Sequence, residues 1–253
     1  MDSRIEMDEN KSLIFGRNAV LELLKSDRTI DKMLIQNGEL HGSVLKLIGM
    51  AHERKIPVVK ADKQKLDALC GGAAHQGVCA YAAMKEYVEL EDILEIAKQR
   101  GEKPLIIIAD DIQDPHNLGA LMRCAEGAGV HGIIVPKRRS AVMSETVFKS
   151  SAGAAEHLAV CRVASLADTV EKLKDMGLWI FAAEAGGERF DKLDLTCAAA
   201  IILGSEGEGV GRLLKEKSDY IISIPMYGKV NSLNVSAAAA VLCYEAARQR
   251  RFN

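Results

Sequence analysis

Four side chains able to hold and orient a reacting group crowd into six positions near the end of the chain: Asn231, Ser232, Asn234 and Ser236. They follow an apolar run, Ile221 to Ile224, then Pro225 and a turn through Tyr227-Gly228-Lys229. They open a run of alanines, Ala237 to Ala240. Such residues cap helices, and they border the unpartnered amides that receive ligand oxygens. Two further stretches have the same form. DDIQDPHN, Asp110 to Asn117, follows the run LIIIA; it sets Asn117 at a helix N-cap with Arg123 further along that helix. Taken alone, that pair reads as a cap and a surface arginine. GSEGEGVG, Gly204 to Gly211, follows AAAIIL and places Glu206 between glycines, which permit close backbone approach. Glu206 reads equally as a ligand contact or as a solvent-facing loop charge. His116 has the chemistry of a base, but no partner for it is in view. The glycine loop lacks the Lys-Ser/Thr ending of a P-loop, and no early G-x-G-x-x-G supports a nicotinamide enzyme.

The three polar stretches need elements that bring them together. From Pro104 onward, apolar runs alternate with helical patterns: strands at 105–109, 133–135, 158–163, 178–183, 198–203 and 220–224, with helices between them, including 141–155. Alternation of this kind predicts a mostly parallel α/β sheet. All loops that follow its strands then emerge at one edge, so Asp110–Arg123, Gly204–Gly211 and Pro225–Ser236 can meet at one site. Residues 12–84 predict a separate small α/β unit, with helices at 16–26, 43–54 and 66–70 and strands at 32–36, 56–59 and 76–83. The charged stretch 85–103 reads as a linker ending in a helix. Residues 1–11 read as a mobile acidic tail.

The chain has 253 residues, 48% hydrophobic, enough for two packed units. No apolar run approaches the length of a membrane span, and the acidic start MDSRIEMDENK is unlike a signal peptide. Six scattered cysteines without a C-x-x-C pair suit free thiols in a reducing cytoplasm rather than disulfides or zinc. Net charge is −2, unevenly spread. Residues 11–84 carry 11 Lys/Arg against seven Asp/Glu, a balance compatible with phosphate contact.

In order and spacing, DPHNLGALMRCAEGAGV, ILGSEGEGV and IPMYGKVNSLNVSAAAAVLCYEA resemble the three motifs of the SpoU, or TrmH, family of RNA ribose 2′-O-methyltransferases. FGRNAVLELL and HQGVCAYA resemble the family's L30e-like substrate-binding domain. Within the family the chain looks closest to RlmB-type enzymes, which modify a guanosine of 23S-type ribosomal RNA. The resemblance implies a SPOUT-type parallel sheet over 104–253 with a C-terminal deep trefoil knot. It implies S-adenosylmethionine bound against Gly204, Ile224 and Leu233, and a functional polar set of Asn117, Arg123, Glu206, Ser232 and Asn234. In that set Asn117 orients Arg123, Glu206 fixes its guanidinium, and Arg123 binds a phosphate and stabilises the developing alkoxide. It also implies a homodimer through the knot domain, which the alanines of the last helix suit. Arg17, Lys25, Lys32, Lys46, Arg54 and Lys55 are the expected phosphate contacts of the first unit. A transfer-RNA ribose methyltransferase and a non-catalytic ribosomal-RNA-binding assembly factor are the alternatives.

Overall fold

The computed structural model describes residues 11–38 and 42–251. The acidic tail expected over 1–11 lies outside them, apart from Lys11. The chain divides into two compact units, one of residues 1–86 with 143–157, the other of 87–142 with 158–253.

The first unit holds β1 (Lys11–Phe15), α1 (Arg17–Lys25), β2 (Ile30–Gln36), α2 (Gly42–Glu53), β3 (Val58–Ala61), α3 (Lys63–Leu69) and β4 (Val78–Ala83). Its sheet runs β1-β4-β2-β3. β4 is antiparallel to both β1 and β2, whereas β2 and β3 are parallel. β1 is a fourth strand that the run SLIF did not disclose. In α1 the buried residues are Ala19, Val20, Leu23 and Leu24, the one-sided stripe that seats a helix on a sheet. Leu13, Phe15, Leu34, Leu66, Cys79 and Tyr81 pack together on one side of the sheet.

The second unit begins with α4 (Leu90–Gln99). The stretch expected to be a linker thus contributes to a core, since Leu90, Ile93 and Ala97 are buried. Then come β5 (Leu105–Ala109), α5 (Pro115–Gly127) and β6 (Gly132–Pro136). α6 (Glu145–Ser150) follows and packs in the first unit. The remaining elements are β7 (Ala159–Val163), α7 (Leu166–Asp175), β8 (Trp179–Arg189), β9 (Ala199–Leu203), α8 (Arg212–Lys217), β10 (Tyr220–Ser223) and α9 (Val235–Arg251). All six strands are parallel, in the order β10-β8-β9-β5-β6-β7. β5 lies centrally and every one of its residues is buried, as its unbroken LIIIA requires. No helix among the described residues is long and apolar enough to cross a membrane.

All six cysteines are free thiols. Burial pushes the Cys79 and Cys243 thiols up to about 12, which makes them packing groups rather than nucleophiles.

Candidate active site

The C-terminal ends of β8, β9 and β10 open into a cavity of about 360 Å³. Its shape begins with a register break. Ile221 of β10 pairs with Ala182 of β8, but the next residue, Ile222, pairs with Glu188. Residues 183–187 are therefore pushed out of the ladder, and Ala183, Glu184 and Ala185 become cavity wall. Gly187 closes the excursion, because a Cβ there would lie 2.4 Å from the Ile221 carbonyl oxygen. The sequence pattern ends β8 at 183. The following EAGGER has the composition of a loop, so the extended strand and Glu184 were both missed.

The loop 204–211 makes the second wall. A Cβ on Gly204 would lie 2.0 Å from the Gly209 carbonyl carbon, so the loop can fold back on itself only with glycine there. Glu184 pins the return: its carboxylate accepts the Val210 N–H at 3.3 Å and pairs with Lys215 at 3.1 Å. Asp110, at the end of β5, accepts the Gly211 N–H at 2.8 Å. Burial raises the Asp110 carboxyl above its ordinary value. The third wall is the segment between β10 and α9, where Ile224, Met226, Ser232 and Leu233 line the cavity.

At the rim, three of the expected polar residues meet. The Asn234 amide donates to Asn117 Oδ1 at 3.0 Å and to Glu206 Oε1, and the Asn117 amide donates to Glu206 Oε1 at 3.2 Å. The Asn234 oxygen meanwhile accepts the Ser236 N–H at 2.9 Å and the Ser236 hydroxyl at 2.6 Å. One side chain therefore caps α9 with its oxygen and ties two distant loops with its nitrogen. The capping reading of Asn234 holds through its oxygen, while its nitrogen is engaged elsewhere, with Asn117 and Glu206.

Other expectations fare differently. Asn117 is not the N-cap of α5. Asp114 is, accepting the His116 N–H at 3.0 Å, with Pro115 in the first turn. Asp before Pro is the stronger helix-start signal. Asn117 is freed by this to point at Glu206. Arg123 is exposed and has no hydrogen-bond or ion-pair partner among the described residues. Six residues at about 100° each put it about 120° around α5 from Asn117, so the carboxylate of Glu206 engages two asparagines and not the guanidinium. Ser232 is exposed and lines the cavity. Gly204, Ile224 and Leu233 all line it.

The residues suit a small ligand that carries positive charge and an apolar part. The volume falls in the range of about 300–1,000 Å³ usual for small-molecule sites. Leu203, Ile222, Ile224, Met226 and Leu233 supply apolar wall, and Glu184, Glu206 and Glu208 supply negative charge.

In the first unit the six expected phosphate contacts separate. The Arg54 guanidinium donates to the carbonyls of Leu23, Leu24, Ser26 and Arg28 at 2.8–3.2 Å, so both its terminal nitrogens are engaged in closing the C-terminus of α1. Lys25 pairs with Glu22, and Lys32 lies over the Tyr81 ring. Arg17 holds the Gln76 carbonyl and the Ser43 hydroxyl at the edge of a cavity of about 610 Å³. Lys46 and Lys55 are exposed, with no side-chain partner among the described residues.

Comparisons with known proteins bear on both units. The profile of the SpoU rRNA Methylase family matches residues 104–244, and that of RNA 2′-O ribose methyltransferase substrate binding matches 13–88. YacO of Bacillus subtilis, assigned to the TrmH family of tRNA/rRNA methyltransferases, is 43% identical over 245 residues, 96% of this chain and 98% of that protein. A relative from Staphylococcus aureus with the same assignment is 42% identical, covering 94% and 96%. Among solved structures, the SpoU methyltransferase AviRb from Streptomyces viridochromogenes, in complex with AdoMet, superposes with a TM-score of 0.80 at 24% identity, covering 96% of this chain and 92% of that one. An RNA 2′-O ribose methyltransferase superposes at 0.77 with 25% identity, covering 95% and 89%.

Proposed function

From the premise that the chain belongs to the SpoU, or TrmH, family of RNA ribose 2′-O-methyltransferases, we propose that it transfers the methyl group of S-adenosylmethionine to a ribose 2′-hydroxyl of 23S-type ribosomal RNA, at a guanosine as RlmB-type enzymes do. The observation that carries this reading is the Asn117–Glu206–Asn234 cluster. It joins three post-strand loops at the rim of a cavity whose apolar walls and acidic edge suit that cofactor.

When bound, the cofactor supplies a sulfonium that makes its methyl group electrophilic. The protein's part is positioning, which can provide much of the acceleration. Asn234 fixes the start of α9 and the position of Glu206 together. Asn117 holds Glu206 from the α5 side. Ser232 and Leu233 present the turn between β10 and α9 to the cavity, the segment that forms the proposed C-terminal knot. Arg123, exposed and unpaired, is available to grip an RNA phosphate and to stabilise negative charge developing on the ribose oxygen. Arginine stays protonated in proteins, so the hydroxyl proton passes to a phosphate oxygen or to water. Of the six cations expected to contact phosphate in the first unit, Arg17, Lys46 and Lys55 are left to hold RNA.

The reading extends to a homodimer. Ala237 and Tyr244 are exposed on α9, and Ala240 and Val241 are half-buried. α5 packs against the start of this helix, where the Cys124 thiol reaches the Ser236 carbonyl. Calorimetry with S-adenosylmethionine, followed by 2′-O-methyl mapping in RNA from a strain lacking the protein, tests the proposal. The expected result is cofactor binding and one missing methyl in large-subunit ribosomal RNA. A methyl missing from a transfer RNA reassigns the substrate. Cofactor binding with every methyl in place points to a non-catalytic RNA-binding protein.

A further inference from the structure

The basic stretch Lys137-Arg138-Arg139, which follows β6, takes no part in the cavity described above. Arg138 and Arg139 instead line a second cavity of the same unit, about 470 Å³, together with Arg212 and Lys215 of α8. The two cavities lie on either side of one loop, since Ser205, Glu208 and Gly209 line both. Arg139 is ion-paired with Asp111. Both residues hold left-handed backbone, at φ 58° and 57°, a conformation side-chain-bearing residues adopt at a cost and retain mostly where function needs it. Arg212 pairs with Glu216 at 2.7 Å, and Arg138 has no partner among the described residues. Asp110, Asp111 and Glu208 also line the cavity. Asp110 is engaged by the Gly211 N–H and Asp111 by Arg139. Among the described residues no three His, Cys, Asp or Glu side chains are grouped to hold a metal.

We propose that this second cavity is a binding site for the sugar-phosphate backbone of RNA next to the modified nucleotide, with Arg138 as the open phosphate ligand. The proposal rests on the RNA-methylating reading above. Guanidinium groups match phosphate with two parallel hydrogen bonds. Exposed ion pairs such as Arg212–Glu216 contribute little, so their cations can turn to phosphate. A strand that crosses the shared loop sets a phosphate in this cavity and the adjoining ribose at the rim of the first.

The test uses the full chain and a mixed-sequence 20-nucleotide single-stranded RNA, with affinity measured across a salt series for wild type, Arg138→Ala, Arg138→Glu and Arg138→Lys. Each phosphate contact on a single strand adds about 0.7 to the slope of log affinity against log salt. Arg138→Ala is expected to lower that slope by about 0.7. Arg138→Glu is expected to weaken binding by about tenfold or more, and Arg138→Lys to keep the slope. Calorimetry with S-adenosylmethionine is the folding control, because Arg138 does not line the cofactor cavity. Unchanged slope and affinity in both Arg138→Ala and Arg138→Glu overturn the site. If the wild type itself neither binds the cofactor nor methylates RNA, the proposed function fails instead, which separates the two outcomes.

Discussion

Asn234 shows how one side chain caps a helix and ties two distant segments at once. Its oxygen caps α9 and its nitrogen holds Asn117 and Glu206. Substitutions can separate the two. Serine caps helices nearly as well as asparagine but has no amide. Asn234→Ser is therefore expected to melt close to wild type while methyl transfer falls by about tenfold or more. Asn234→Ala is expected to lose about 1 kcal/mol of stability as well. Thermal melts beside a single-turnover methylation assay check this; full activity in Asn234→Ser would remove the amide from the mechanism. The polar type of these residues was legible in the sequence, and so was their meeting place, because loops after parallel strands share an edge. The atoms that bond were not. Asn117 was placed as a cap, although Asp114-Pro115 carried the better signal. Arg54 was grouped with RNA contacts, because nothing local shows that a guanidinium closes a helix ending about 30 residues earlier.

At the scale of elements, the loop after β9 depends on backbone touching backbone. Gly204→Ala sets a methyl group against the Gly209 carbonyl and is expected to cost about 1–3 kcal/mol and to abolish cofactor binding. Gly207→Ala, with nothing within 4 Å of its Cβ, is the matched control and is expected to leave the melting temperature unchanged. Equal melting temperatures for the two variants would contradict the packed loop. His131 joins α4 to β5 in a different way. Its Nδ1 accepts the Leu105 N–H at 3.0 Å and its Nε2 donates to Glu102 at 3.0 Å. Burial, and then Arg100, hold its pKa below the ordinary histidine value. A histidine kept neutral by the fold takes up its proton more readily when unfolded. Stability is therefore fully present above about pH 6.5 and is lost as pH falls below it. Melting temperature measured from pH 7.5 to 5.5 should decline for wild type and decline less for His131→Asn. The strands carrying these groups were legible wherever an apolar run was continuous, as in LIIIA. β8 beyond residue 183 was not, because its pairing with β10 resumes only after a bulge that no local pattern announces.

At the scale of the whole molecule, the order of the chain and the grouping of its residues disagree. Residues 143–157 lie between β6 and β7 in sequence but fold with the first unit. The helical pattern over 141–155 was visible; its destination was not, because the partner of Glu156 stands 128 positions earlier. Arg28 pairs with Glu156 at 2.7 Å, with side chains 8% and 1% exposed, and its guanidinium lies over the Phe148 ring. Lys85 donates to the Glu156 carbonyl, and burial pushes its pKa down to about 8. Removing one partner of a buried ion pair costs about 3–5 kcal/mol, so Arg28→Ala alone is expected to destabilise strongly. The same argument decides how a truncation test must be built. Deleting residues 1–84 removes Arg28 and Phe15 and strips Val147, Phe148 and Glu156 of their cover. Deleting 1–86 and replacing 143–157 with a short polar linker removes the orphaned segment too. The cavity proposed for the cofactor draws its lining only from residues 183–238, so the doubly shortened chain is expected to melt cooperatively and bind S-adenosylmethionine while methylating no RNA. The simple truncation is expected to melt lower and to bind a hydrophobic dye. If the two shortened chains melt alike, residues 143–157 are not the part of the first unit that the packing makes them.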